Sequence, residues 1–153
     1  VTGVQTCALP IYVLFQEFPN SWCTTNAFFE DMAYRFVRAR LGANVSIRDD
    51  LNMRFFEVLS TGTCLLSNTD VSGMEEIGFK PGEHFVGYDG TIEDMIKQAK
   101  WAIDHPMERE EIAAAGHKLV REKHTYAQRL IDIFDTCGVS WHEYGSISYE
   151  EQQ

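Results

Sequence analysis

The sequence predicts an α/β domain built on a parallel sheet, and three observations carry that reading. Short runs rich in apolar and β-branched residues occur at 41–47 (LGANVSI), 63–67 (TCLLS) and 84–88 (HFVGY). Stretches with helical periodicity separate them. Gly, Pro and short polar residues punctuate the junctions. Strands that alternate with helices pack as one parallel layer, with helices over its faces. Three strands are few for such a sheet, so the chain reads as lacking an N-terminal portion.

The elements follow in order. Residues 12–18 form an apolar run ended by Pro19-Asn20-Ser21, and read as a strand remnant. Asn26 can cap a helix over 27–39, with Phe28, Met32 and Phe36 on its inner face, joined by Phe29 and Val37. Residues 41–47 are the first full strand. A loop and short helix fill 49–61, Gly62 ends that helix, and 63–67 is a short buried strand. Ser72 opens a short helical turn carrying Met74 and Ile77, and Lys80-Pro81-Gly82-Glu83 is a turn. Residues 84–88 form the next strand, closed by Asp89-Gly90. Thr91 caps a helix with Glu93 and Asp94 in its first turn and an apolar stripe of Ile92, Met95, Ile96, Ala99 and Ile103. Pro106 ends that helix and starts another, Ala-rich one over 108–122. His124-Thr125 interrupts it. A last helix over 126–134 places Leu130, Ile131 and Phe134 inside, and Gly138 ends it. Residues 139–153 read as a polar tail.

Residues 1–11 (VTGVQTCALPI) are set apart. Their back-translation resembles a widely used short-read sequencing adapter, so they are expected to be a scar and are excluded from fold reasoning. What remains has the length of about one domain. The chain holds 153 residues with 44% hydrophobic content, enough for a packed core, and a net charge of −10. So acidic a domain is a poor partner for a nucleic-acid backbone, although one diphosphate needs only a few local donors. No apolar run approaches the roughly 20 residues of a membrane span. Cys23, Cys64 and Cys137 are far apart and show no C-x-x-C spacing. Reduced thiols and a cytoplasmic compartment are therefore expected, with no zinc site and no disulfide framework. The five His show no ligand spacing, and no metal is expected.

The most informative stretch runs from Asp49 to Ser67. It reads as polar loop, short helix, Gly break and buried strand, with Asp49 in the loop and Glu57 in the first turns of the helix. That layout suits a phosphorylated, hydroxyl-rich ligand over a helix N-terminus. Free amides and the helix dipole attract phosphate there, and a nearby carboxylate accepts hydrogen bonds from sugar hydroxyls. Each candidate has a plainer reading beside the functional one. Glu57 could belong to an ion pair or a solvated face, Asn52 could simply cap the helix, Arg54 could pair with Glu57, and Asp49 could cap the loop.

The motifs NMRFFEVLSTGTCLLSN, HFVGY, DHP and EREEIAAAGHKLVREKHTYAQRL, in this order, resemble the C-terminal part of a group 1 glycosyltransferase. Within that group the spore-maturation-protein-like subgroup is the most similar, and the resemblance covers about residues 30–137. It implies a Rossmann-like parallel sheet flanked by helices, the nucleotide-sugar half of a two-domain GT-B enzyme, incomplete over 12–138 and with its acceptor-binding N-terminal domain missing. It implies that Glu57 contacts the donor ribose and that Asp49 stands where the family carries an upstream Glu, with Asp50 as a possible substitute. Asp49 and Glu57 are the candidate catalytic residues. Arg48, Asp50, Asn52, Met53, Arg54 and Glu57 are the candidate donor-binding set, with the backbone of 51–53 facing the diphosphate and Arg54 or Arg48 supplying positive charge. The implied partners are a nucleotide-diphosphate sugar and an acceptor that could be glycan, lipid or protein, with no cofactor. The fragment is expected to be inactive alone. A non-catalytic α/β interaction or regulatory module, and a sugar-nucleotide epimerase, remain alternatives.

Overall fold

The structure, a computed structural model, describes residues 13–14, 16–18, 20, 29–47 and 49–139. Helix α1 (Phe29–Arg38) leads into strand β1 (Gly42–Ala43), helix α2 (Met53–Ser60) and strand β2 (Leu65–Asn68). Strand β3 (Val86–Tyr88) and helices α3 (Ile92–Asp104), α4 (Pro106–Lys123) and α5 (Tyr126–Thr136) follow. The three strands form one parallel sheet in the order β1-β2-β3, with Gly42 opposite Leu65 and Leu66 opposite Val86. The α/β fold with a flanked parallel sheet is therefore as the sequence predicts.

Successive side chains of a strand point to opposite faces, and β2 shows what each face meets. Leu65 joins Phe55, Leu59, Phe79, Phe85 and Val120 in one buried cluster. Leu66 joins Val86, Tyr88, Met95, Ala99 and Ile112 in another. Both faces are covered, which is why the strand reads as an unbroken apolar run rather than as an alternation. Close approach of the layers depends on Gly116, where a Cβ would lie 2.2 Å from the His84 carbonyl oxygen and 2.8 Å from Leu59.

Four expectations need correction. Residues 13, 14, 16 and 17 are helical, not a strand remnant. The Phe18 amide donates to the Leu14 carbonyl at 2.9 Å, and these two residues, one helical turn apart, pack on the second cluster. The strand expected over 41–47 pairs only at Gly42–Ala43, because side chains replace the ladder beyond it: the Ser46 amide donates to Asn68 Oδ1 at 2.8 Å. The helical turn at Ser72 is a run of turns over 72–78, broken by the positive φ of Gly73 and Gly78, although Met74 and Ile77 do face inward on the first cluster. Val37 on α1 and Leu130 and Phe134 on α5 are exposed, and no residue of α5 is buried. Their apolar periodicity is real, but no described element lies over those faces. Asn26, Phe28 and Arg48 lie outside the described residues, as do 1–11 and all of the tail beyond Val139.

Candidate functional site at the C-terminal edge of the sheet

Ligands of open parallel sheets bind outside the C-terminal ends of the strands, and here that edge is polar in an otherwise apolar core. Asn44, Ser46, Ser67 and Asn68 are all buried. The Asn44 amide donates to Ser46 Oγ at 3.1 Å and to Ser67 Oγ at 3.2 Å. Asn68 Nδ2 donates to the Ser46 carbonyl at 3.1 Å and to Asp70 Oδ1 at 2.6 Å. The Tyr88 hydroxyl reaches the Asn44 carbonyl at 3.4 Å. Burial pushes the Tyr88 phenol up to about 12, and the nearby Asp70 carboxylate adds to the effect. Buried polar groups are costly unless satisfied, and these satisfy one another.

A cavity of about 100 Å³ opens on this network, lined among others by Ser46, Asn68, Asp70, Tyr88, Gly90 and Thr91. Its floor is the edge of the sheet and one wall is the start of α3. Thr91 caps that helix, its hydroxyl accepting from the Asp94 amide at 3.2 Å. Asp89 accepts from the Thr91 hydroxyl at 2.6 Å and from its amide at 2.9 Å, and those bonds hold its carboxyl below the usual range. Gly90 takes a φ of 90° beside Asp70. Asp70 Oδ2 has no hydrogen-bond partner among the described residues, so a carboxylate oxygen stands available to a hydroxyl donor.

The segment that the sequence singles out lies next to this cavity. Asn52 caps α2, accepting from the Phe55 amide at 3.3 Å, and its own amide reaches the Val45 carbonyl at 3.4 Å. The first-turn amides of Met53 and Arg54 have no intrahelical acceptor. Asp49 adopts φ 59°, a left-handed conformation that Asp tolerates better than most residues. Its carboxylate accepts from the Ser72 amide, and that bond holds its pKa below the ordinary 3.8. The loops after β1 and β2 are thus clasped together at Ser46–Asn68 and at Asp49–Ser72.

The structure divides the candidates. Asp49, Asp50 and Met53 are exposed at the loop and helix start. Arg54 and Glu57 pair with each other at 3.2 Å, on a flank where the guanidinium also lies over the Phe36 ring and against the Met32 sulfur. Neither carboxylate of the Asp49–Glu57 set lines the cavity, and the two do not share a hydrogen bond. Sequence reasoning missed Asn44, Asn68, Asp70 and Tyr88. The signal was present: polar Asn and Ser interrupt apolar runs at LGANVS and LLSN, at the ends of both strands.

Comparison with known proteins decides the family. A family model described as glycosyl transferase-like matches residues 13–135. The chain belongs to this family. Glycosyl transfer is thereby the general chemistry of the domain, with a sugar donor and an acceptor as its substrates. No curated protein and no solved structure matches the chain. No described helix of this glycosyl transferase-like domain is long and apolar enough to cross a membrane.

Proposed function

We propose that residues 12–138 form the donor-binding unit of a group 1, GT-B glycosyltransferase of the spore-maturation-protein-like subgroup, holding a nucleotide-diphosphate sugar for attack by an acceptor hydroxyl. The observation that carries this reading is the polar, clasped C-terminal edge of a parallel sheet with the N-terminus of α2 beside it. In this reading the diphosphate faces the free amides of Met53 and Arg54, with Arg54 as the neighbouring cation, and the hydroxyls face Asp49, Glu57 and Asp70. The acceptor oxygen bonds to the anomeric carbon as the bond to the diphosphate breaks. Charge growing on that leaving group is stabilised by amides already in place. The acceptor site and any general base are assigned to a second domain, so the chain by itself binds donor and transfers nothing.

The Arg54–Glu57 pair favours a second reading, a non-catalytic α/β module in which Glu57 only braces its helix. Calorimetric titration of UDP, GDP and their sugars into wild type and Glu57→Ala separates the two. Both partners are partly exposed, so loss of the pair costs on the order of 0.5 kcal/mol and the fold survives. The donor reading expects weak nucleotide binding by the wild type, lost in Glu57→Ala at nearly unchanged melting temperature. Undiminished affinity in the variant would sink it.

A further inference from the structure

The opposite, N-terminal edge of the sheet holds a second and larger cavity, of about 230 Å³. It lies between the end of α1, the entry to β2 and the first turns of α4. Arg40, Arg109, Glu110, Thr63 and Cys64 supply its polar lining, and Val37 and Ala113 supply apolar walls. With two Arg against one Glu the lining is net positive in a chain of net charge −10.

The two guanidiniums are incompletely matched. Arg109 is only 8% exposed, a burial rare for Arg without a strong partner. Its Nη1 donates to the Ala102 carbonyl at 3.0 Å, which fixes the side chain. Its one ion pair among the described residues is with Glu110, 3.7 Å from Nη2 and itself 77% exposed. Such a pair is long and solvated, and offsets little of the cost of burying the charge. Arg40 has no hydrogen bond or ion pair among the described residues. The Thr63 hydroxyl is occupied, donating to the Phe36 carbonyl at 2.6 Å. Burial raises the Cys64 thiol to about 11, against the opposing pull of Arg109, so the thiol is neutral and faces that cation.

We propose that this cavity binds a small oxyanion, a phosphate or a carboxylate on a short apolar stem, gripped by Arg40 and Arg109. Guanidinium presents paired donors that match both anions, and the apolar walls suit a short carbon body. The site is independent of the donor edge, because the sheet lies between them.

Cys64 reports occupancy. The 153-residue chain is treated with a small thiol reagent, with inorganic phosphate or butyrate against chloride at equal ionic strength, and modification is read by peptide mass spectrometry. Exposed Cys137 serves as the internal reference. Protection of Cys64 relative to Cys137 is expected, about tenfold at a tenfold excess of anion over its Kd. Phosphate acting alone marks a phosphate ester as the ligand class, and butyrate acting alone marks a carboxylate. Arg40→Gln, at an exposed position, should abolish the protection and leave the unliganded melting temperature unchanged. Absence of protection by either anion overturns the proposal. So does protection that persists in Arg40→Gln, which would reflect an anion stabilising the fold from elsewhere.

Discussion

His124 packs against Phe79 and Phe56, with ring centroids 5.0 and 5.8 Å away, and bonds through Nε2 to the Ile77 carbonyl at 3.0 Å. A carbonyl only accepts, so Nε2 carries the proton. Desolvation lowers its pKa below the ordinary 6.5, more than the Ile77 bond raises it, and Arg129 pushes in the same direction as desolvation. The folded state therefore binds this proton less readily than the unfolded chain. Stability should be full above about 6.5 and fall as pH drops from there toward the folded pKa. Denaturant titrations between pH 7.5 and about 5 should show that loss in wild type and a flatter profile in His124→Gln. An equally steep profile in the variant would assign the loss to other groups. The sequence read the His124-Thr125 step as a helix break, and it is one: Thr125 caps α5 by accepting from the Gln128 amide at 3.2 Å. Its aromatic neighbours were not legible, because Phe56 and Phe79 stand far from it in the chain.

At the scale of elements, caps and breaks were the most legible part of the sequence. Asn52, Thr91 and Thr125 all cap helices, Pro106 begins α4, and Gly62 and Gly138 take positive φ just past helix ends. Each of these is set by a few adjacent residues. Strand lengths and helix faces were less legible, since they depend on what lies opposite: β1 is short because Asn68 takes over its pairing, and α5 shows its apolar residues to solvent. Gly116 makes the same point. A Gly in the interior of an 18-residue helix looks like a propensity cost, and Ala there should add about 1 kcal/mol by propensity alone. Contact with the His84 carbonyl reverses the expectation. Gly116→Ala should destabilise by roughly 1–3 kcal/mol, the usual range for overpacking, read as a lower urea midpoint at unchanged slope. A stabilised variant would mean that α4 and the approach to β3 can slide apart freely.

Across the whole molecule, the parallel sheet and the family were legible because ordered motifs span most of the chain. The site was half legible. The loop and helix from Asp49 to Glu57 do stand at the expected edge of the sheet, but the cavity is built by Asn68, Asp70 and Tyr88, residues that meet only once the strands align. No local pattern could join Asn44 to Ser67, 23 positions away.

The two apolar clusters share one partition, β2, whose four residues are all buried and which pairs with β1 on one side and β3 on the other. Neither half of the interior can loosen while that partition stays paired, and losing it exposes both together. Deuterium uptake should therefore be slowest at residues 65–68, with an opening free energy equal to that of complete unfolding. Turns 72–78 and helix α5 should exchange far sooner. Early uptake at 65–68 would mean two independent folding units divided by a strand that belongs to neither.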